Sequence, residues 1–147
     1  MSLRRLSVSL KRSPAVQINR ISVGNNKLCY LLVANKRIKY PDGRSRIVYI
    51  GTTKKGLARI SQSVAARAEN VLDIHGVSKF EARVVTCSSR QNVKTWHKLE
   101  RALLIRFREM FGNVPYCNTQ GVRMKERDEF TKYFARKRVT TILEDIG

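Results

Sequence analysis

The chain has 147 residues, the size of one domain, and 42% of them are hydrophobic, which excludes global disorder. No apolar run approaches the roughly 18 residues that a membrane-spanning helix needs. Thirty Lys+Arg against eleven Asp+Glu leave a net charge of +19, so a polyanion is the natural partner. The basic residues are spread along the chain rather than gathered on one amphipathic helix, which favours nucleic acid over a membrane surface. No acid precedes Asp42, and five of the eleven lie from Glu126 onward. Cys29, Cys87 and Cys117 are far apart and odd in number, so neither a disulfide framework nor a CxxC zinc site is supported. A reducing, cytoplasmic or nucleoid-associated setting is expected.

Residues 1–25 alternate in two pieces, Leu6, Val8, Leu10 and then Val16, Ile18, Ile21, Val23, around a turn at Lys11-Arg12-Ser13-Pro14. This pattern predicts an accessory strand or hairpin on a basic N-terminal extension, residues 1–26. Lys27 to Ala34 is nearly all apolar and predicts a strand buried on both faces. Lys36 to Arg46 is polar, with a turn signal at Tyr40-Pro41-Asp42-Gly43, and reads as an exposed hairpin. Ile47 to Ile50 are β-formers that Gly51 ends. Thr52 and Thr53 are candidate helix N-caps, and Gly56 lets the chain turn again.

A first helix is expected from about Leu57 to Leu72, its core face made by Leu57, Ile60, Val64, Ala68 and Val71. At about 100° per residue, Arg59 lies roughly opposite that face, beside Gln62, Ser63 and Asn70. Taken alone it is an ordinary surface arginine. Lys79 to Cys87 predicts a third strand, and Ser88 to Asn92 a loop.

The second helix, about Val93 to Phe111, is the longest expected element. Its apolar stripe is Val93, Trp96, Leu99, Leu103, Phe107, Met110 and Phe111. Glu100 falls inside that stripe, four residues after Trp96 and three before Leu103. A desolvated, unpaired carboxylate costs several kcal/mol. Glu100 therefore requires an arginine, a metal ion or access to solvent, and the first of these would make it a plain buried ion pair.

Gly112 and Pro115 stop this helix, and a short extended piece leads to Asn118. Glu126 to Arg138 predicts a third helix, with Phe130 and Phe134 as an apolar pair, and Ile142, Leu143 and Ile146 a last turn. No repeat or linker divides the chain. One domain is expected, α+β, with a small, mostly antiparallel β-sheet flanked by helices, a core at about 27–121 and a C-terminal helical extension at 122–147.

With the elements in this order, the chain resembles the GIY-YIG nuclease family. Tyr30, in Leu28-Cys29-Tyr30, stands at that family's first tyrosine, and Tyr49-Ile50-Gly51 matches its second motif. Arg59, eight residues after Gly51, stands at its helix arginine. Glu100, opening Glu-Arg-Ala-Leu-Leu-Ile, is similar to its glutamate segment, and Pro115-Tyr116-Cys117-Asn118 to its closing asparagine region. Four features depart from the pattern. Leu28-Cys29 replaces Gly-Ile, and both the Tyr30–Tyr49 and Glu100–Asn118 stretches are long. Ser63 stands where the family frequently has a histidine or tyrosine. His75 and His97 match no motif, although His97 borders the Glu100 face.

The resemblance implies a divalent-metal-dependent endonuclease acting on double-stranded or branched DNA, with catalytic residues Tyr30, Tyr49, Arg59, Glu100 and Asn118. Glu100 would hold one Mg²⁺ (or Mn²⁺) and Arg59 would meet the scissile phosphate. Tyr49 would position or deprotonate water, assisted by Tyr30. A tyrosine ionises near about 10, so as a base it needs help from Arg59, Lys54, Lys55 or the metal. Lys54, Lys55, Arg67, Arg44 and Arg46 are the candidate DNA contacts. A homodimer is one arrangement that permits double-strand cleavage. The alternatives are a catalytically silent nucleic-acid-binding domain on the same fold, and a basic RNA-binding protein. The last would show exposed aromatic stacking platforms.

Overall fold

Leu28 to Ala34 are all apolar and all buried, because they form the first half of the central strand, with a strand paired on either side. The computed structural model describes residues 4–19, 21 and 26–147. Strand β1 (Leu28–Tyr40) turns at Pro41 and Asp42 into β2 (Gly43–Thr53), and β3 (Phe80–Val85) lies along the other edge of β1. The sheet order is β2-β1-β3 and both pairings are antiparallel. Helix α1 (Gly56–Leu72) joins β2 to β3, and α2 (Thr95–Phe111) follows β3. A π-helical turn at Glu129–Tyr133 and helix α3 (Arg136–Ile146) complete the chain. The class is α+β, a small antiparallel sheet flanked by helices.

The expected hairpin is less exposed than its polarity implies. Ile38, Tyr40 and Ser45 are buried within it. Tyr40 is the reason: its ring packs edge-on to Phe107 at 5.1 Å, and its hydroxyl donates to the Ile47 carbonyl at 2.8 Å. The turn is tied to the end of α2 by a 3.0 Å bond from the Asp42 N–H to the Phe111 carbonyl. Alternating lysines and arginines mask a half-buried strand of period two.

Two expectations are corrected. Residues 4–19 and 21 carry no strand, and Leu6, Val8, Leu10, Val16, Ile18 and Ile21 are exposed. Val23 of the expected hairpin lies outside the described residues. The helix expected at Glu126–Arg138 is instead the π-helical turn, an extended break at Phe134 (φ −128°, ψ 141°) and α3. The cause is Glu129, which is fully buried. Its carboxylate accepts from Arg101 Nε at 2.5 Å and from the Arg127 N–H at 2.7 Å. Burial favours the protonated acid, but these hydrogen bonds outweigh it and hold the pKa below the usual glutamate range.

The C-terminal extension also widens the buried face of α2. Leu104 and Ile105 lie off the expected stripe, yet they are buried. Arg108 donates to the carbonyls of Gly121, Val122 and Met124, and Arg136 pairs with Glu109 and Glu126. Arginines that read as a solvated face are thus clamps for the 121–136 segment. Glu129→Ala removes the buried partner of Arg101 and is expected to lower stability by about 3 kcal/mol. Urea unfolding checks this, and the loss should appear with little change in the slope against denaturant.

Candidate functional site

Side chains alternate along β2, so Tyr49 and Gly51 share a face, and Tyr30 joins them as the cross-strand partner of Gly51. The two phenol rings lie 5.9 Å apart, inclined at 44°. They meet over Gly51. A β-carbon there would fall 2.6 Å from Tyr49 Cε1 and 2.9 Å from both Cζ and the hydroxyl of Tyr30. Glycine at this position is a requirement of the ring pair, not of the turn.

Helix α1 covers this face. The Arg67 guanidinium sits 3.7 Å above the centre of the Tyr49 ring. Arg59 does not join it. Arg59 is exposed, and its Nη1 donates to Gln62 Oε1 at 3.0 Å. The two arginines are eight residues apart, about 12 Å along the helix. Sequence matching selects Arg59, whereas the geometry sets Arg67 on the tyrosine pair.

One residue beyond Gly51, Thr52 points the other way, towards α2. Its cross-strand partner Cys29 bonds the Trp96 carbonyl at 3.2 Å. Thr52 hydrogen-bonds Glu100. Neither threonine caps α1 as expected. Thr53 Oγ1 accepts from the Lys55 N–H at 3.0 Å, and the cap position falls to Lys55, which makes no side-chain bond.

The Glu100 side chain is only 13% exposed, and its one ionic neighbour among the described residues is His97, whose Nδ1 lies 4.0 Å from Oε1. No arginine or lysine pairs with it among the described residues, so they form no plain buried ion pair with it. Burial raises the Glu100 pKa, opposed by the bond from Thr52. The His97 pKa is lowered by burial and by Lys94 and Lys54, which leaves its imidazole neutral near pH 7. The Tyr49 hydroxyl is pushed up to about 12, first by burial and then by Tyr30, while Arg67 draws it down and the Glu100 charge adds to the rise. The Glu100 charge thus reaches the Tyr49 hydroxyl, although Glu100 meets the Thr52 face of β2 and the tyrosine pair lies on the Gly51 face.

Asn118 is buried, and both polar atoms of its side chain bond Ile50. Its Oδ1 accepts from the Ile50 N–H and its Nδ2 donates to the Ile50 carbonyl, both at 3.0 Å. The Cys117 N–H bonds the Val48 carbonyl at 2.8 Å. Residues 117 and 118 thus pair with the outer edge of β2, and Asn118 holds that strand at Ile50. Lys54 and Lys55 are exposed beside this end of the sheet, whereas Arg44 and Arg46, also exposed, lie at the far end of β2, roughly 20 Å away at 3.3 Å per residue. Tyr116 is the exposed aromatic among the described residues, so no stacking platform of several rings is present among them.

Sequence reasoning missed the contact of Thr52 with Glu100 and the stacking of Arg67. His97, expected to border the Glu100 face, does so. Among the described residues no three His, Cys, Asp or Glu side chains gather as a metal cage. A hard cation that keeps its waters needs only one or two carboxylates besides substrate phosphate. Glu100, paired with no Arg or Lys among the described residues and backed by Thr52, fits that requirement. No protein-family model matches the chain, and neither a curated protein nor a solved structure does.

Gly51→Ala is expected to force the rings apart, lower stability by about 1–3 kcal/mol and change the near-UV circular dichroism of the tyrosines. Alkaline pH supplies a second check. A phenol whose pKa rises from 10.0 to about 12 on folding disfavours its charged form in the fold. Stability is then intact below pH 10 and falls as pH rises through about 12, with Tyr40, raised likewise to about 12, contributing to the same loss. Urea midpoints measured across this range should decline, and Tyr49→Phe should flatten the decline.

Proposed function

We propose that this chain is a divalent-metal-dependent endonuclease that hydrolyses DNA phosphodiester bonds. The observation that carries the reading is Glu100, a largely buried carboxylate with no Arg or Lys partner among the described residues, coupled to a paired Tyr30 and Tyr49. A net charge of +19 supplies the affinity for the polyanion.

Glu100, supported by Thr52, would hold the ion. When bound, Mg²⁺ supplies charge neutralisation at the scissile phosphate and at the leaving 3′-oxygen. Tyr49, with a pKa of about 12, keeps its proton at neutral pH. It therefore acts as a donor that orients the phosphate or the attacking water, not as the base. Tyr30 fixes the Tyr49 ring. Arg67 faces the growing negative charge on the phosphate from the α1 side, a role suited to its planar guanidinium. Arg59, two turns away, meets the strand further along. Attack of water at phosphorus breaks the P–O3′ bond, and the 3′-oxygen leaves with a proton.

A second reading has one observation in its favour. Arg59, the arginine of the family pattern, is turned to Gln62 and away from the tyrosine pair, as expected of a catalytically silent DNA-binding domain.

Supercoiled plasmid separates the two readings. Incubation with Mg²⁺ should give nicked and linear products, and EDTA should abolish them. Glu100→Ala should abolish cleavage with DNA binding retained. Arg67→Ala should lower the rate by about 10²–10³-fold, and Arg59→Ala by less. Binding without cleavage in the unaltered protein supports the silent domain. Unchanged cleavage in Glu100→Ala sinks the assignment of that residue.

A further inference from the structure

His97 has no part in the chemistry proposed above, yet it stands against the residue that carries it. The two lie three residues apart on α2, a spacing that sets side chains next to one another on one helix face. His97 Nδ1 is 4.0 Å from Glu100 Oε1. That is beyond hydrogen-bond reach, so the pair does not satisfy itself. The imidazole makes no hydrogen bond among the described residues. Its ring lies against Trp96, with 5.2 Å between centres and 37° between planes. The Glu100 side chain is 13% exposed and that of His97 41%, so a largely buried carboxylate stands beside an imidazole open to solvent.

An imidazole is the commonest metal ligand among side chains. In its neutral form one ring nitrogen carries a lone pair and the other a proton. Two donors at right angles on one ion, each about 2.1 Å from it, lie about 3 Å apart. Reaching that spacing from 4.0 Å takes about 1 Å of side-chain movement, which a ring held by no hydrogen bond can make. Lys54 and Lys94 lie close enough to act on the ring. They repel a bare cation, so the ion is expected to bind best with a phosphate beside it.

We propose that His97 is the second protein ligand of the ion at Glu100, and that the site takes a first-row transition ion in preference to Mg²⁺. The physical reason is the donor. Mg²⁺ is a hard cation that keeps to oxygen, so an imidazole adds little to its binding, whereas first-row transition ions accept nitrogen. Mn²⁺ is the weakest binder of that series and so the strictest probe of it. The inference rests on the reading of Glu100 as a metal carboxylate, and its test keeps the two apart.

The chain has two histidines, and the other, His75, is exposed beyond the end of α1. His75→Ala therefore leaves His97 as the sole source of an imidazole signal. The full chain, labelled with ¹⁵N-histidine and holding a short duplex, is loaded with Mn²⁺ at about pH 8, above the ordinary histidine range. Pulsed electron paramagnetic resonance reads the nitrogen coupled to the bound ion, and the isotope separates the imidazole from the bases. His75→Ala should keep the ¹⁵N coupling in full, which decides the question even where a His97 variant does not fold. The unaltered protein should hold Mn²⁺ about tenfold or more tighter than Mg²⁺. His97→Phe, which retains a ring against Trp96, should erase the coupling and weaken Mn²⁺ binding about tenfold or more. Its Mg²⁺ affinity, read by competition, should stay within about twofold. Bound Mn²⁺ without ¹⁵N coupling in His75→Ala, or an unchanged Mn²⁺ affinity in folded His97→Phe, overturns the ligand. If Glu100→Gln still releases the ion in that case, the nuclease reading stands. Coupled Mn²⁺ in a protein that leaves plasmid intact keeps the ligand and loses the nuclease. A chain that binds no Mn²⁺ loses both.

Discussion

Position 51 has no room for a side chain, and the geometry at this end of the sheet follows from that. The rings of Tyr30 and Tyr49 close over the Gly51 backbone, where any β-carbon would collide with both. A ring pair of this kind demands an unslipped register, because a shift of one residue turns every side chain to the opposite face. Register is secured from outside the sheet. Cys117 and Asn118 bond Val48 and Ile50 along the free edge of β2, and the Tyr116 N–H donates to the Tyr40 hydroxyl at 3.0 Å. Asn118 thus serves the site through Ile50, the residue between the two members of the Tyr49–Gly51 pair.

Glu100 stands apart from Glu109 on its own helix and from Glu126, Asp128 and Glu129 of the extension that packs on it. Glu109, Glu126, Asp128 and Glu129 each meet a cation. Asp128 and Glu129 are held below their ordinary pKa values, whereas Glu100 is pushed above its own. The contrast lies in burial against compensation. The extension brings acids to the arginines on the far side of α2 and neutralises them there. At the β2 end of the sheet Glu100 has no Arg or Lys partner among the described residues, although exposed lysines lie near it. An arrangement that leaves one carboxylate costly, in a chain otherwise rich in cations, is what the proposed metal ion would relieve.

Much of the fold was legible in the sequence, because periodicity reports burial. The three sheet strands and the first two helices fall where hydrophobic spacing places them, and Glu100 announces itself as a charge out of place. What was illegible depended on contacts between distant segments. The i, i+4 pair Phe130 and Phe134 reads as helix, but the buried Glu129 carboxylate, drawn to Arg101, bends that segment into a π turn. The alternation of Leu6, Val8 and Leu10 reads as strand, yet those side chains are exposed and pair with no sheet edge. Of the residues at the candidate site, Tyr30, Tyr49 and Glu100 were named from the pattern. Arg67 was legible only as a cation, since the ring it covers belongs to another element. Thr52 was misread as a cap because a threonine before a helix usually is one.

The most direct measurement is metal binding at Glu100. Manganese titrated into the full chain with bound duplex, followed by electron paramagnetic resonance, counts the bound ions. The account predicts one tightly bound Mn²⁺ per chain, lost in Glu100→Gln while duplex affinity and the far-UV circular dichroism spectrum stay unchanged. Identical Mn²⁺ binding by the two proteins, with both folded and both holding duplex, would contradict it.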